Sequence, residues 1–453
     1  MLREATVKNG KLKGLPSADP RVTVYKGIPF AEPPTGEFRW REPQPCKDWE
    51  GVKEAYEFAP ISVQDQPAVG TDIYCREWHV DPDIKMNEDC LYLNVWTPAK
   101  SLDEKLPVLV WFFGGGFQWG YTAEMEFDGE RLARRGIIVV SVNYRLASLG
   151  YLSHPEITSN NPSYPSNFGL LDQQAGLKWV YENIAAFGGD PENITIAGQS
   201  AGGGSVLNQM TNEENYSYIK GAVVLSGMIR FPGAKDDILL PIDLSRAEEV
   251  GKRFFEFLGV NSLEEAKKLD AFTLRDKYGL WASQNNPRVA PISDGIHYKS
   301  DPLNRFEDGL YANIPVLAGF TSDEFIVNDV NIVEKTVKSS CSKALKNNGD
   351  RDIFVYKFDT DIPGWDNPGN FHSVDLWFWF ESIQKCWRPF RGRHFELSRQ
   401  MCNYLASFVK THNPNCKDDD GSDMPTWKPI SEGSFDIMNF TSEGAVPSVE
   451  KLS

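Results

Sequence analysis

The sequence predicts an α/β protein built on a mainly parallel sheet, and three observations carry that reading. Short apolar runs recur along the chain, near-continuous rather than alternating, and end in Gly, Ser or Asn, as strands covered on both faces do. Segments with helical apolar spacing lie between them. The 453 residues, 41% hydrophobic and 24% charged, have the composition of a soluble globular chain long enough to bury a large core.

The strands are expected over 108–113, 137–142, 194–197, 222–225, 315–319 and 353–358. Helical spacing covers 171–183, 247–258 and 395–409. Strands alternating with helices give βαβ crossovers and hence a parallel sheet. Region 231–313 is mostly helical and punctuated by Pro, with no linker on either side. It is expected to be an insertion packed over the sheet of a single domain spanning 1–453.

Composition narrows the function. Lys and Arg number 47 against 63 Asp and Glu, a net charge of −16 that repels nucleic acid and anionic membranes. No apolar run reaches the roughly 20 residues that span a bilayer. The 13 Trp, 16 Tyr and 27 Phe indicate a large aromatic core. Residues 1–15 contain no apolar stretch of a secretory leader, and the seven cysteines form no C-x-x-C pair. Reduced thiols in a cytoplasmic protein are therefore expected, with a bacterial cytosol as the setting, rather than a disulfide framework or a zinc site.

Gly198-Gln199-Ser200-Ala201-Gly202 follows the strand at 194–197 and precedes a segment able to start a helix at Ala201. A sharp strand-to-helix turn needs small flanking residues. It leaves the serine at its tip, beside helix N–H groups that favour developing negative charge. Phe113-Gly114-Gly115-Gly116-Phe117 also follows a strand, upstream of this turn. Consecutive glycines let backbone N–H groups approach a substrate closely, so Gly115, Gly116 and Ala201 are candidate oxyanion donors.

A serine nucleophile needs a base, and with this type of elbow the order is Ser, then Asp or Glu, then His. His79 and His154 precede the serine; His394 and His412 sit in polar, charged surroundings. His297 follows an Asp-Gly turn, and His372 lies in a loop before an aromatic segment. Pattern favours His372 over His297 without excluding the latter. The acid should follow the strand at 315–319, where Asp323 and Glu324 are adjacent and spacing does not choose between them.

These motifs, with several others, make the chain resemble the type-B carboxylesterases, the group that includes cholinesterases and bacterial p-nitrobenzyl esterases. The others include Glu88-Asp89-Cys90-Leu91-Tyr92-Leu93-Asn94-Val95, Val142-Asn143-Tyr144-Arg145-Leu146 and Asn167-Phe168-Gly169-Leu170-Leu171-Asp172-Gln173. Tyr25-Lys26-Gly27-Ile28-Pro29-Phe30-Ala31, Phe187-Gly188-Gly189-Asp190-Pro191 and Phe371-His372-Ser373-Val374-Asp375-Leu376 complete the set, and the likeness runs from about residue 5 to residue 440. The resemblance implies an α/β-hydrolase fold with helices on both faces of the sheet. It implies Ser200, Glu324 and His372 as the triad and an acyl-enzyme route. It also implies a small-molecule ester substrate, no metal or organic cofactor, and no nucleic-acid or membrane partner.

Two departures bear on specificity. Phe113 stands where many of these esterases have His or Tyr, which is expected to make the oxyanion-hole entrance less polar. Gln199 stands where cholinesterases have Glu, so the pocket is expected to lack a negative charge beside the nucleophile and to disfavour a cationic choline ester. In secreted relatives the Cys of the Glu-Asp-Cys motif is commonly bonded, which here would pair Cys90 with Cys75. Phe117, Trp119, Gln199 and Trp377 are candidate pocket residues, and Trp78 a further one. Of Trp377, Phe378 and Trp379, at least two are expected in the core. Aromatic walls suit small or aromatic esters. Sugar-linked feruloyl or acetyl-xylan esters are the alternative, ahead of a non-catalytic binding protein on the same fold.

Overall fold

The structure, a computed structural model, describes residues 1–230, 242–287, 289–347 and 350–450. Its centre is one sheet of eleven strands. In chain order these are β1 (Leu15–Pro16), β2 (Thr23–Pro29), β3 (Tyr92–Thr97), β4 (Leu106–Phe112), β5 (Ile138–Val142), β6 (Gly189–Gln199), β7 (Gly221–Leu225), β8 (Val316–Thr321), β9 (Ile353–Asp359), β10 (Phe435–Thr441) and β11 (Gly444–Glu450). The spatial order is β11-β10-β9-β8-β7-β6-β4-β5-β3-β2-β1. Pairing is parallel from β10 through to β5. The flanking β11, β3, β2 and β1 pair antiparallel.

The six strands read from apolar runs are β4 to β9. Their continuous hydrophobicity has the expected cause: successive side chains go to opposite faces, and both faces are covered. Val108, Val110 and Phe112 join one apolar cluster with Ile194, Ile196 and Val224. Leu109, Trp111 and Phe113 join the other with Val139, Ala197 and Val223. Strand β6 begins earlier than its apolar run, because Gly189 still pairs with Leu106 across a register irregularity.

The principal helices are α1 (Phe168–Asn183), α2 (Ala201–Thr211), α3 (Leu244–Leu258), α4 (Leu263–Lys267), α5 (Ala271–Asn285), α6 (Ile332–Asn347) and α7 (Gly392–Thr411). Leu177, Val206 and Val337 bring α1, α2 and α6 onto the first face. Leu397, Met401 and Phe408 bring α7 onto the second. Helices α3 and α5 bury Phe254, Tyr278 and Trp281 in a third cluster with Trp40, Tyr151 and Leu170. Within 231–313, Leu244–Leu258, Leu263–Lys267, Ala271–Asn285 and Pro302–Glu307 are helical, while 231–241 and 288 lie outside the described residues. Among the described residues no helix is long and apolar enough to cross a membrane, and no cluster of three or more His, Cys, Asp or Glu could hold a metal ion.

A buried ion pair ties the loop after β5 to α1. Asp172 accepts from the Arg145 guanidinium at 2.8 and 2.7 Å and from the Arg145 backbone N–H at 3.0 Å. Both side chains are at most 2% exposed. Removing one partner strands a buried charge, which typically costs about 3–5 kcal/mol. Asp172→Ala is therefore expected to lower unfolding free energy by about that amount in a urea titration.

Candidate active site

Ser200 lies between the end of β6 and the start of α2, as the N-cap of that helix, at φ 56° and ψ −124°. A β-carbon is strained there, so the surroundings must hold the turn. The Ser200 N–H donates to Leu225 O at the end of β7, and Gly204 N–H donates to Ser200 O, both at 2.9 Å. The glycines are required by contact. A Cβ at Gly202 would lie 2.1 Å from Phe112 O, and one at Gly198 would lie 2.3 Å from Gly202 O. Because these are backbone atoms, no side chain can yield. Only glycine lets α2 sit on the ends of β4 and β6, and that seating aims the positive end of its dipole at Ser200.

The glycine run at 114–116 lies against this elbow. A Cβ on Gly114 would be 2.7 Å from Gln199 O and 3.2 Å from Ser200 Cβ. Gly115 at φ 105° and Gly116 at φ 61° turn the chain. Gly115 O then accepts from the N–H groups of Gln118 and Trp119, at 2.9 and 3.1 Å. Ala201 is the first residue of α2, so its N–H has no acceptor within the helix. Gly115, Gly116, Ala201, Ser200 and His372 line one cavity of about 660 Å³.

Glu324 follows β8 and is 1% exposed. Its Oε1 accepts from Thr321 N–H at 2.8 Å and Ser226 Oγ at 2.9 Å. Its Oε2 bonds His372 Nδ1. The adjacent Asp323 points elsewhere: Oδ2 accepts from Asn370 N–H at 2.7 Å, tying the loop that carries His372 to the end of β8. One carboxylate meets the imidazole and the other anchors its backbone. On the far side of the ring, Gln199 Nε2 lies 3.3 Å from His372 Nε2. The Glu324 carboxylate only accepts, so the imidazole proton belongs on Nδ1 and Nε2 is left as the accepting nitrogen. Tyr74 Oη donates to His372 O at 3.3 Å, and the Phe325 ring stands 4.6 Å from the imidazole.

His297 and His394, also downstream of Ser200, have separate settings. His297 stacks on Tyr164 at 4.8 Å and contacts Ser163 O. His394 contacts Asp361 O at 2.8 Å.

Phe117, Trp119, Gln199 and Trp78 line the cavity, with Trp119 43% exposed. Trp377 does not. It is fully buried with Phe378 and Trp379, stands edge-on to Trp78 at 6.0 Å, and donates to Glu77 at 3.3 Å. It supports a cavity wall from behind. Phe113 is not at the entrance either: it is buried and stacked on Tyr144 at 4.2 Å. Cys75 and Cys90 are both free thiols, Cys90 buried.

Sequence reasoning missed Tyr74, His79, Glu124, Glu126 and Ser226. The first four line the cavity, and Ser226 holds Glu324. Ser226 directly follows a predicted strand that neighbours the one preceding Glu324, a signal that neighbouring strands supply only once their order is known.

Asp375 lies beneath the site, fully buried, accepting from Tyr356 Oη at 2.7 Å and Trp379 Nε1 at 3.2 Å. Burial above all pushes its carboxyl from 3.8 up to about 6. The native state then holds the proton more tightly than the unfolded chain, so stability falls as pH rises through the window between those two values. Asp375→Asn removes this contribution. Its melting temperature relative to wild type should rise between about pH 4 and about pH 7; a constant difference would mean that Asp375 ionises as an ordinary carboxyl.

Comparison with known proteins places this arrangement. Residues 3–349 match the Carboxylesterase family. The chain is 34% identical over 311 residues to a fumonisin B1 esterase of Sphingopyxis macrogoltabida, covering 67% of this chain and 53% of that protein. It is 33% identical to a cholinesterase of Mus musculus, over 70% of this chain and 53% of that one. It is 35% identical to a para-nitrobenzyl esterase of Bacillus subtilis (strain 168), over 70% and 62%. The chain thus spans about half the length of the first two curated relatives and 62% of the third. Among solved structures, a PNB esterase aligns over all of this chain and 97% of its own, with TM-score 0.84 and 25% identity. A carboxylesterase of Geobacillus stearothermophilus aligns over 99% and 98%, with TM-score 0.80 and 27% identity. The sheet order, the helices on both faces and these matches make the fold that of the α/β-hydrolases, and the chain belongs to the carboxylesterase family.

Proposed function

We propose that this protein is a serine carboxylesterase, a single α/β-hydrolase domain that cleaves small or aromatic carboxylic esters through an acyl-enzyme. The observation that carries the reading is the line of groups from Glu324 through His372 to the cavity that also holds Ser200 and the glycine loop. His372 Nε2 takes the Ser200 proton as Oγ attacks the ester carbonyl. Glu324 keeps Nδ1 protonated and stabilises the imidazolium that forms. The N–H groups of Gly115, Gly116 and Ala201 receive the oxyanion. His372 then returns its proton to the departing alcohol, and water repeats the cycle on the acyl-serine. In the second half His372 takes its proton from the water and returns it to Ser200 Oγ, so the proton count closes.

Aromatic walls from Trp78, Phe117, Trp119 and Phe325 support apolar acyl or alcohol groups. The free thiols fit a reducing compartment such as a bacterial cytosol.

Hydrolysis of p-nitrophenyl acetate near neutral pH tests the proposal. Wild type should turn over. Ser200→Ala should lose roughly four orders of magnitude or more in kcat, and Glu324→Gln about 10⁴-fold. A folded wild type without turnover, or a Ser200→Ala variant that matches it, would overturn the assignment.

A further inference from the structure

The cavity that holds Ser200 also contains a carboxylate that the proposed ester chemistry does not use. Glu126 lies in the short turn Met125–Phe127, lines the cavity and is 1% exposed. Neither of its carboxylate oxygens receives a hydrogen bond among the described residues. A buried carboxylate without donors is costly to retain. The neighbouring Glu124, also lining the cavity and 6% exposed, adds to that cost. Burial first, then Glu124, holds the Glu126 carboxyl well above the usual range.

The surrounding cations are committed elsewhere. Arg388 binds Glu77 at 2.9 and 2.6 Å and Asp366 at 2.9 Å. His79 Nε2 lies 3.4 Å from Glu124 Oε1, and Tyr121 N–H donates to that same oxygen at 2.6 Å. Glu126 is left lining the cavity with acceptor capacity but no donor among the described residues. The replacement of a glutamate by Gln199 beside the nucleophile therefore does not make this cavity free of negative charge.

We propose that Glu126, seconded by Glu124 on the wall that includes Trp78, is a subsite for a primary ammonium group of the ester substrate. The proposal rests on the esterase reading of the cavity and specifies which esters it prefers. A primary ammonium brings one positive charge and three N–H donors, which is what two unpartnered carboxylate oxygens lack. An alcohol brings one donor and no charge. A quaternary ammonium brings charge without donors, and a carboxylate-bearing substrate is repelled.

The test is calorimetric binding to the Ser200→Ala protein, so that affinity is read without hydrolysis. Three probes of one shape are compared: 2-phenylethylammonium, its N-trimethyl form and 2-phenylethanol. The primary ammonium should bind about tenfold tighter than either of the others. Glu126→Gln, introduced in the same background, should erase that advantage. Equal affinities for the ammonium and the alcohol, or tighter binding of the trimethyl form, would overturn the proposal. So would an advantage that survives Glu126→Gln. Should Glu126→Gln not fold, the three-probe comparison alone decides. A failed esterase reading registers separately, as absent turnover of p-nitrophenyl acetate by wild type while ammonium selectivity persists.

Discussion

Helix α2 reaches the end of strand β4 at backbone-to-backbone distance, and the geometry of the whole site depends on that approach. Gly198, Gly202 and Gly203 permit it; a Cβ on Gly203 would lie 2.8 Å from the Cα of Gly227, just beyond β7. With no side chains between helix and strand ends, Ser200 is forced into a conformation that costs of order 1–3 kcal/mol. The buried parallel strands on either side supply the stability that holds it. Parallel order also brings the C-terminal ends of β4, β6, β7 and β8 side by side. The glycine loop, Ser200, Ser226 and Glu324 follow those four ends and so meet without long-range contrivance.

Glu324 and His372 are brought together by a division of labour between adjacent residues. Asp323 bonds the backbone of the His372 loop while Glu324 bonds its ring. Ser226 and the Thr321 N–H occupy the other Glu324 oxygen, leaving one oxygen for the imidazole. The ring is thus fixed in tautomer and orientation by groups from β7, β8 and its own loop. The same cavity combines aromatic lining residues with the buried carboxyl groups of Glu124 and Glu126.

Much of this was legible in the residues. Continuous apolar runs identified β4 to β9 because both faces of those strands are buried. The Gly-rich segments marked the two backbone close approaches. Other features were not legible for physical reasons. Strands β1 to β3, β10 and β11 are short, antiparallel or half-exposed, and their apolar residues form no continuous run. Asp323 and Glu324 differ only in where their side chains point, which spacing does not encode. Trp377 looked like a pocket residue because it is near His372 in sequence, yet the helical turn at Leu376–Trp379 directs it into the core. Glu126 escaped notice because a buried unpaired carboxylate is recognised by the donors it lacks, and those belong to distant segments.

The central claim is that Ser200 is a nucleophile activated within its own cavity. Labelling the intact protein with a fluorophosphonate, followed by peptide mass spectrometry, tests it most directly. The account predicts one stoichiometric adduct on the peptide bearing Ser200, abolished by Ser200→Ala and strongly slowed by His372→Ala. A folded protein that takes up no label, or takes it up at another residue, would contradict the account.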